Sequence, residues 1–393
     1  MNAPEAETSA GARALSAYIH VPFCAVRCGY CDFNTYTATE LGGGGSQREY
    51  PAVARAEMDL VHAADRAAGY QYDRTRTVFF GGGTPTLLPA EDLVGMLAHL
   101  DHLVPLEAGA EVTTEANPDS VTHESLRILA DGGITRVSFG MQSAVRSVLA
   151  TLDRTHDPER VPQAVAWARE AGLAVSLDLI YGTPGESIQD VESSLRAVLD
   201  ADVDHVSAYS LIIEGNTAMA RNLRRGLIEA PDPDDMADKY ELIDGMLGTA
   251  GYSWYEVSNW ARRPEDRCRH NLAYWRGDDW WGIGPGAHRH RDGMRAWNVK
   301  HPSRYAGLVR AGELPVQETE QLTDEERALE RVLLELRIAD GLPVEAIPAA
   351  AQNMVTVHVE RGHLDRGAAA EGRLVLTRSG RLLADAVVRD LTG

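Results

Sequence analysis

Short apolar, β-branched runs recur through the first half of the chain, at 16–20, 77–80, 111–115, 136–139, 174–179 and His205–Ser210. Between them lie stretches whose apolar positions repeat with helical spacing: Tyr50–Ala67, 90–100, 123–130, Arg160–Glu170 and 187–201. Alternation of this kind implies parallel strands joined by right-handed crossovers. The expected class is therefore α/β, with six units forming a partial (β/α)6 TIM-like barrel. Past residue 250 the pattern changes. Strand and loop material rich in Gly and Trp is expected at 252–257 and 282–298, then a helix at 323–339, segments at 343–351 and 355–361, a strand at 373–376 and a last helix at 379–391. Helices closed by a short strand and turn imply a winged-helix-like α+β module. The organisation read from these patterns is a disordered tail at 1–14, the barrel at 15–250, a Trp/Gly-rich linker and motif region at 251–320, and the C-terminal module at 321–393. The glycine run at 41–46 reads as a flexible surface loop.

The polar residues that carry chemistry fall at or just past the ends of the expected strands. Cys24 follows the first, Gly81 to Pro85 the second, Glu115 ends the third, Gln142 follows the fourth, Asp178 lies near the end of the fifth and Tyr209 near the end of the sixth. Barrels of this type build their sites at that face, so a single shared site is expected. A formal net charge of −20 argues against a phosphate-binding surface and hence against nucleic acid as a partner. The N-terminal residues show no apolar signal region, and no run is long enough to span a bilayer. Four cysteines, three of them clustered, suit a reducing compartment, and a cytoplasmic location is expected.

Those three cysteines, Cys24, Cys28 and Cys31, are spaced C-x3-C-x2-C. Three thiolates can hold three corners of a [4Fe–4S] cube and leave the fourth iron open to an exchangeable ligand. Structural zinc is the competing reading, but it is closed by four protein ligands, and the remaining Cys268 stands far along the chain with no pairing partner.

The C-x3-C-x2-C run after one strand and Gly81-Gly82-Gly83-Thr84-Pro85 after the next resemble the radical S-adenosylmethionine (SAM) superfamily. Within it, the chain is most similar to the group that contains oxygen-independent coproporphyrinogen III oxidase and the HemW-type haem chaperones. The resemblance implies a [4Fe–4S] cluster on Cys24, Cys28 and Cys31, an electron donor for it, and SAM contacts at Tyr18, Gly82, Gly83, Thr84, Glu115, Gln142, Arg154, Asp178 and Ile212. Phe23, Tyr30 and Phe33 would shield the cluster. His270-Asn271-x-x-Tyr274-Trp275 resembles the HNxxYW signature of the haem chaperones and implies haem as a third ligand, with acceptor proteins such as respiratory haem enzymes as partners. His270 is the candidate haem ligand, with Cys268 and His288 behind it; the competing reading is a satisfied core histidine in a Trp-rich segment. The alternative function is the decarboxylase. Its motif continues to a fourth cysteine where this chain has Phe33, and it carries a long N-terminal arm where only seventeen residues precede Tyr18 here; both departures favour the chaperone. A DNA-binding regulator using the winged-helix-like module is disfavoured by the acidic charge.

Overall fold

The computed structural model describes residues 13–37 and 45–393. Residues 1–12 of the tail and 41–44 of the glycine run lie outside that description. Ala14 already opens a strand, paired with Arg74.

The barrel units, in chain order, are β1 (Ala14–Val21), α1 (Tyr50–Ala67), β2 (Arg74–Gly82), α2 (Ala90–Leu103), β3 (Leu106–Ala116), α3 (His123–Asp131), β4 (Arg136–Gln142), α4 (Arg146–Thr151), α5 (Arg160–Glu170), β5 (Ala174–Tyr181), α6 (Ile188–Asp200) and β6 (His205–Ser210). The chain continues through α7 (Ala218–Arg224), α8 (Pro233–Thr249), β7 (Ser253–Glu256), β8 (Asn259–Ala261), α9 (Arg269–Trp275), β9 (Trp280–Ile283), β10 (His288–Arg291), β11 (Met294–Asn298), α10 (Pro302–Arg310) and β12 (Val316–Gln321). The strands β1 to β6 pair parallel and in sequence, as the alternation implied. They form the middle of a twelve-stranded sheet in the order β12-β11-β10-β9-β1-β2-β3-β4-β5-β6-β8-β7.

The segment 251–320, read from the sequence as a linker, thus supplies strands to both edges. The pair β7 and β8 continues antiparallel from β6, while β9 runs parallel to β1 and leads an antiparallel meander through β12. These strands are short, and β12 is largely exposed, which removes the apolar signal that marks a buried strand.

Each central strand alternates between two buried environments. Leu15, Ala17, Ile19 and Val21 of β1, Val137 and Phe139 of β4, and Val175 and Leu177 of β5 join the apolar core with Ala54 and Met58 of α1 and Leu195 of α6. The opposite set is polar yet equally buried: Ser16, Thr77, Thr113, Ser138, Ser176 and Ser207 are all at or below 5 % exposure. Side chains alternate with a period of two along a strand, so the barrel's inner face is a lining of hydroxyls, imidazoles and carboxylates, and the site grows out of it.

The C-terminal module comprises α11 (Asp324–Glu335), β13 (Leu342–Pro343), α12 (Gln352–Glu360), α13 (Arg366–Ala370), β14 (Arg373–Leu374), α14 (Arg378–Leu382) and α15 (Ala384–Thr392). Its own core includes Val332, Leu336, Leu374, Val387 and Leu391. Two expectations are corrected here. The strand over 373–376 is a two-residue rung against β13, and the helix over 379–391 is broken at Leu383, whose backbone leaves the helical region at φ −112°, ψ 19°. Gly380 packs directly on the backbone of His363, fixing the short first piece at an angle that the second does not share.

The module is fastened to the barrel through Asp244 of α8. This buried carboxylate accepts from Trp260 Nε1 at 3.0 Å, Arg378 Nε at 2.5 Å and both terminal nitrogens of Arg381 at 3.0 Å. Burial raises the Asp244 pKa, but the Arg381 and Trp260 hydrogen bonds and the arginine charges outweigh it and hold the carboxyl below its ordinary value. Asp244→Ala leaves Arg381 and Trp260 without their acceptor and should cost about 3–5 kcal/mol in chemical denaturation. Because the folded pKa is depressed, the stabilisation from Asp244 is complete above pH ~4, the ordinary carboxylate range. It should fade as the pH falls below that, and the variant should lack this acid-side loss.

Candidate functional site

The cysteine loop leaves β1 and is bound at several points. Cys24 N donates to Tyr36 O, Gly29 N to Leu152 O, and Gly29 O accepts from Met219 N of α7. All three thiols are partly exposed and line one cavity of about 650 Å³ at the C-terminal ends of the parallel strands. Burial, then the neighbouring Cys31, pushes the Cys24 thiol up to about 11. Among the described residues no three His, Cys, Asp or Glu side chains gather tightly enough for a single metal ion. A four-iron cube takes each thiolate on a different iron and so does not need the convergence that a single ion does.

Beside the loop, the glycine run after β2 approaches to a distance that excludes side chains. A Cβ on Gly83 would stand 2.4 Å from Phe23 O, and one on Gly82, whose φ is +108°, would stand 2.5 Å from the His20 ring. Gly83 N donates to Val21 O and Thr84 N to Phe23 O, tying the run to the cysteine loop. Gln142, at the end of β4, has φ 61° at a register shift against β5. A left-handed non-glycine residue at a strand end marks strain that the surrounding structure holds in place.

Glu115 and Asp178 enter the same cavity from β3 and β5. Glu115 accepts from Gly82 N at 3.0 Å, and Asp178 accepts from Ser138 Oγ at 2.9 and 3.1 Å. Burial, then the charge of Asp178, pushes Glu115 up to about 8 despite the Gly82 bond; burial also raises Asp178. Arg136 and Arg154 are the nearby cations; Arg154 donates to Gly140 O at 2.6 Å and reaches Cys28 Sγ at 3.7 Å, leaving a buried Nε with no partner. Gly82, Gly83, Thr84, Gln142, Arg154 and Ile212 all line this cavity. Tyr18 does not; it lies in a second, inner chamber of about 220 Å³ that shares Gly82, Glu115, Ser138, Asp178, Phe33 and Tyr209 with the first. Sequence reasoning passed over Ser138, whose hydroxyl holds Asp178. Its signal was the two-residue strand period that places it beside Arg136 and Gly140 on one face.

The inner chamber also contains His270, Asn271 and Tyr274. The HNxxYW segment therefore forms helix α9 under the barrel, with His270 at 1 % exposure. Thr77 Oγ1 donates to Ser16 Oγ, so His270 Nδ1–H must donate to Thr77 at 2.8 Å, and Nε2 takes the Tyr274 hydroxyl at 2.8 Å. The ring stacks on Phe79 at 5.2 Å between centroids. Burial pushes its pKa down to about 3. Both nitrogens are thus engaged, the arrangement that the core-histidine reading describes. Asn271 donates to Glu256, and Trp275 packs with Phe79 and Cys268. Cys268 is buried at 1 % exposure and bonded to Glu111; His288 is exposed on β10.

A model of the radical SAM superfamily matches residues 18–198. The protein named heme chaperone HemW in Mycobacterium tuberculosis is 50% identical over 378 residues, covering 96% of this chain and 94% of that one. The chain belongs to the HemW family. A second member of the family, from Escherichia coli, is 34% identical over 84% of both chains. The solved structure of coproporphyrinogen III oxidase (HemN) from Escherichia coli superposes with a TM-score of 0.81 at 23% identity, covering 97% of this chain and 90% of that one. The family implies a [4Fe–4S] cluster and SAM, and the fold is that of HemN. No helix among the described residues is long and apolar enough to cross a membrane.

Replacing His270 with Ala unpairs the Thr77 and Tyr274 hydroxyls and empties a stacked position. Stability should fall by about 2–4 kcal/mol in urea titrations. Haem bound to the variant should keep the wild-type Soret position. A shifted band in a variant that remains folded would return His270 to the role of ligand.

Proposed function

We propose that this protein is a haem chaperone that holds a [4Fe–4S] cluster on Cys24, Cys28 and Cys31, binds SAM in the adjoining cavity, and passes haem to acceptor proteins. The observation that carries the cofactor part is convergence. Three thiols from one loop, a side-chain-free glycine run and two buried carboxylates open into one cavity. The chaperone part rests on membership of the HemW family.

In this reading the cluster supplies an iron with a free coordination position and an electron, and every other task falls to the chain. Gly82 and Gly83 present backbone groups close to the cluster loop, where the amino-acid end of SAM would lie. Arg154, with its unpartnered Nε, suits a carboxylate. Glu115 and Asp178 suit ammonium or ribose hydroxyls. Tyr30 and Phe33 line the cavity wall and restrict water around the thiols.

Cys24→Ser, Cys28→Ser and Cys31→Ser should each abolish the broad visible absorption of the anaerobically reconstituted cluster, while Cys268→Ser retains it. The reverse pattern would overturn the assignment of the three thiols.

The raised pKa of Glu115 gives SAM binding a pH dependence with a defined sign. A cationic ligand prefers the ionised carboxylate, so affinity should fall as the pH drops below about 8 and level off above it. Calorimetry across this range should show the slope, and Glu115→Gln should flatten it with a loss of roughly 1.5–3 kcal/mol at the alkaline end.

Haem uptake and decarboxylation separate this reading from the HemN-type alternative. The reconstituted protein should take up haem and release no carbon dioxide from coproporphyrinogen III supplied with SAM and reductant; the opposite result transfers the function to the decarboxylase.

A further inference from the structure

Large apolar side chains collect at the mouth of the main cavity. Val26, Phe33 and Ile212 are 50, 58 and 67 % exposed, and all three line it. Single exposed apolar residues are ordinary, whereas a group at the rim of a cavity marks a contact surface. Beside this rim stands α7, which is pinned to the cysteine loop through Met219 N and Gly29 O at 2.8 Å. Two of its arginines reach back to the loop that follows Ile212: Arg224 Nη1 donates to Gly215 O at 3.1 Å and Arg221 Nη1 to Asn216 O at 3.3 Å. Neither forms an ion pair with a carboxylate among the described residues, although the chain carries a net charge of −20. Each guanidinium has five N–H donors, so most remain unused.

Haem has the complementary chemistry, a broad apolar face with two carboxylates along one edge. The remainder of the mouth carries Asp32, Asp153 and Glu214, which would repel those carboxylates. An orientation with the apolar face on the rim and the carboxylate edge toward α7 turns that edge from Asp32 and Asp153 and offers it Arg221 and Arg224, whose charges outnumber that of Glu214 beside them. The HNxxYW helix cannot present the same combination, because its histidine is buried and bonded on both nitrogens.

We propose that haem docks across the barrel mouth, its face on Val26, Phe33 and Ile212 and its propionates on Arg221 and Arg224. This placement rests on the chaperone reading above and adds to it a site and an orientation. Cargo would then lie on the outer side of the SAM cavity, open to an approaching acceptor.

The test is a Soret-band titration of cluster-loaded protein with haem and, separately, with haem dimethyl ester, whose propionates carry no charge. Wild type should bind haem more tightly than the ester. Arg221→Glu/Arg224→Glu should lose haem affinity at least about tenfold, about 1.4 kcal/mol, and should bind the ester as wild type does. Phe33→Ala/Ile212→Ala should weaken both ligands. Leu329→Glu, at an exposed apolar position on the C-terminal module, should weaken neither. Circular dichroism and the cluster absorption report that each variant is folded. Wild-type haem affinity in the arginine variant, or equal binding of haem and ester by wild type, overturns the placement while leaving the chaperone reading intact. Wild-type protein that takes up no haem overturns that reading and the placement with it.

Discussion

A barrel whose inner face is polar has to satisfy every buried donor and acceptor it creates, because an unpaired one costs about 1–3 kcal/mol. Here the strand alternation turns Ser16, Thr77, Ser138, Ser176 and Ser207 inward, together with Glu115 and Asp178. Much of the lining is satisfied by its own members. His20 lies between Tyr18 and Asn34 O, His205 between Ser176 and Tyr255, and His270 between Thr77 and Tyr274. Each imidazole is held on both nitrogens, and burial lowers all three pKa values. They are fixed hydrogen-bond bridges, and burial disfavours the charge that a surface histidine takes up in acid.

Apart from the buried Thr113 hydroxyl, which has no partner, the groups free to meet a ligand lie at the open end. Glu115 and Asp178 face the cavity with raised pKa values, and Arg154 keeps an unpartnered nitrogen. A site with two poorly compensated acids and a spare cation favours a ligand that brings an ammonium and a carboxylate together. The amino-acid end of SAM has that charge pattern. The stability given up at the open end is thus matched to the ligand proposed to fill it.

The six central strands were legible as short β-branched stretches alternating with helical patterns, and the polar residues of the cavity were legible because barrel chemistry gathers at strand ends. Glu115, Gln142 and Asp178 could be placed from that rule alone. The edge strands were legible only in part: strand material was expected at 252–257 and 282–298, but β12, with Val316 its one apolar residue, is polar and exposed. Nor could the sequence tell whether His270 faces a ligand or a hydroxyl. That depends on Thr77, 193 residues away, and on the direction in which Thr77 spends its one proton. The break at Leu383 escaped for a similar reason, since it is set by contact between Gly380 and a distant turn and not by local propensity.

The position of α9 changes what its motif can be selected to do. From Trp280 through Tyr274, His270 and Phe79 to Tyr18 the rings touch in series, with centroids 4.7, 4.8, 5.2 and 6.4 Å apart. Tyr18 then bonds His20, and His20 bonds the backbone of Asn34, three residues past Cys31. The HNxxYW segment is therefore packed, ring on ring, against the strand and loop that carry Cys24, Cys28 and Cys31. A substitution in it perturbs the cysteine loop through contact, so loss of haem binding in such a variant does not by itself identify a haem ligand. The spectroscopic position of the bound haem, which responds to the iron's own ligands, separates the two roles where affinity cannot.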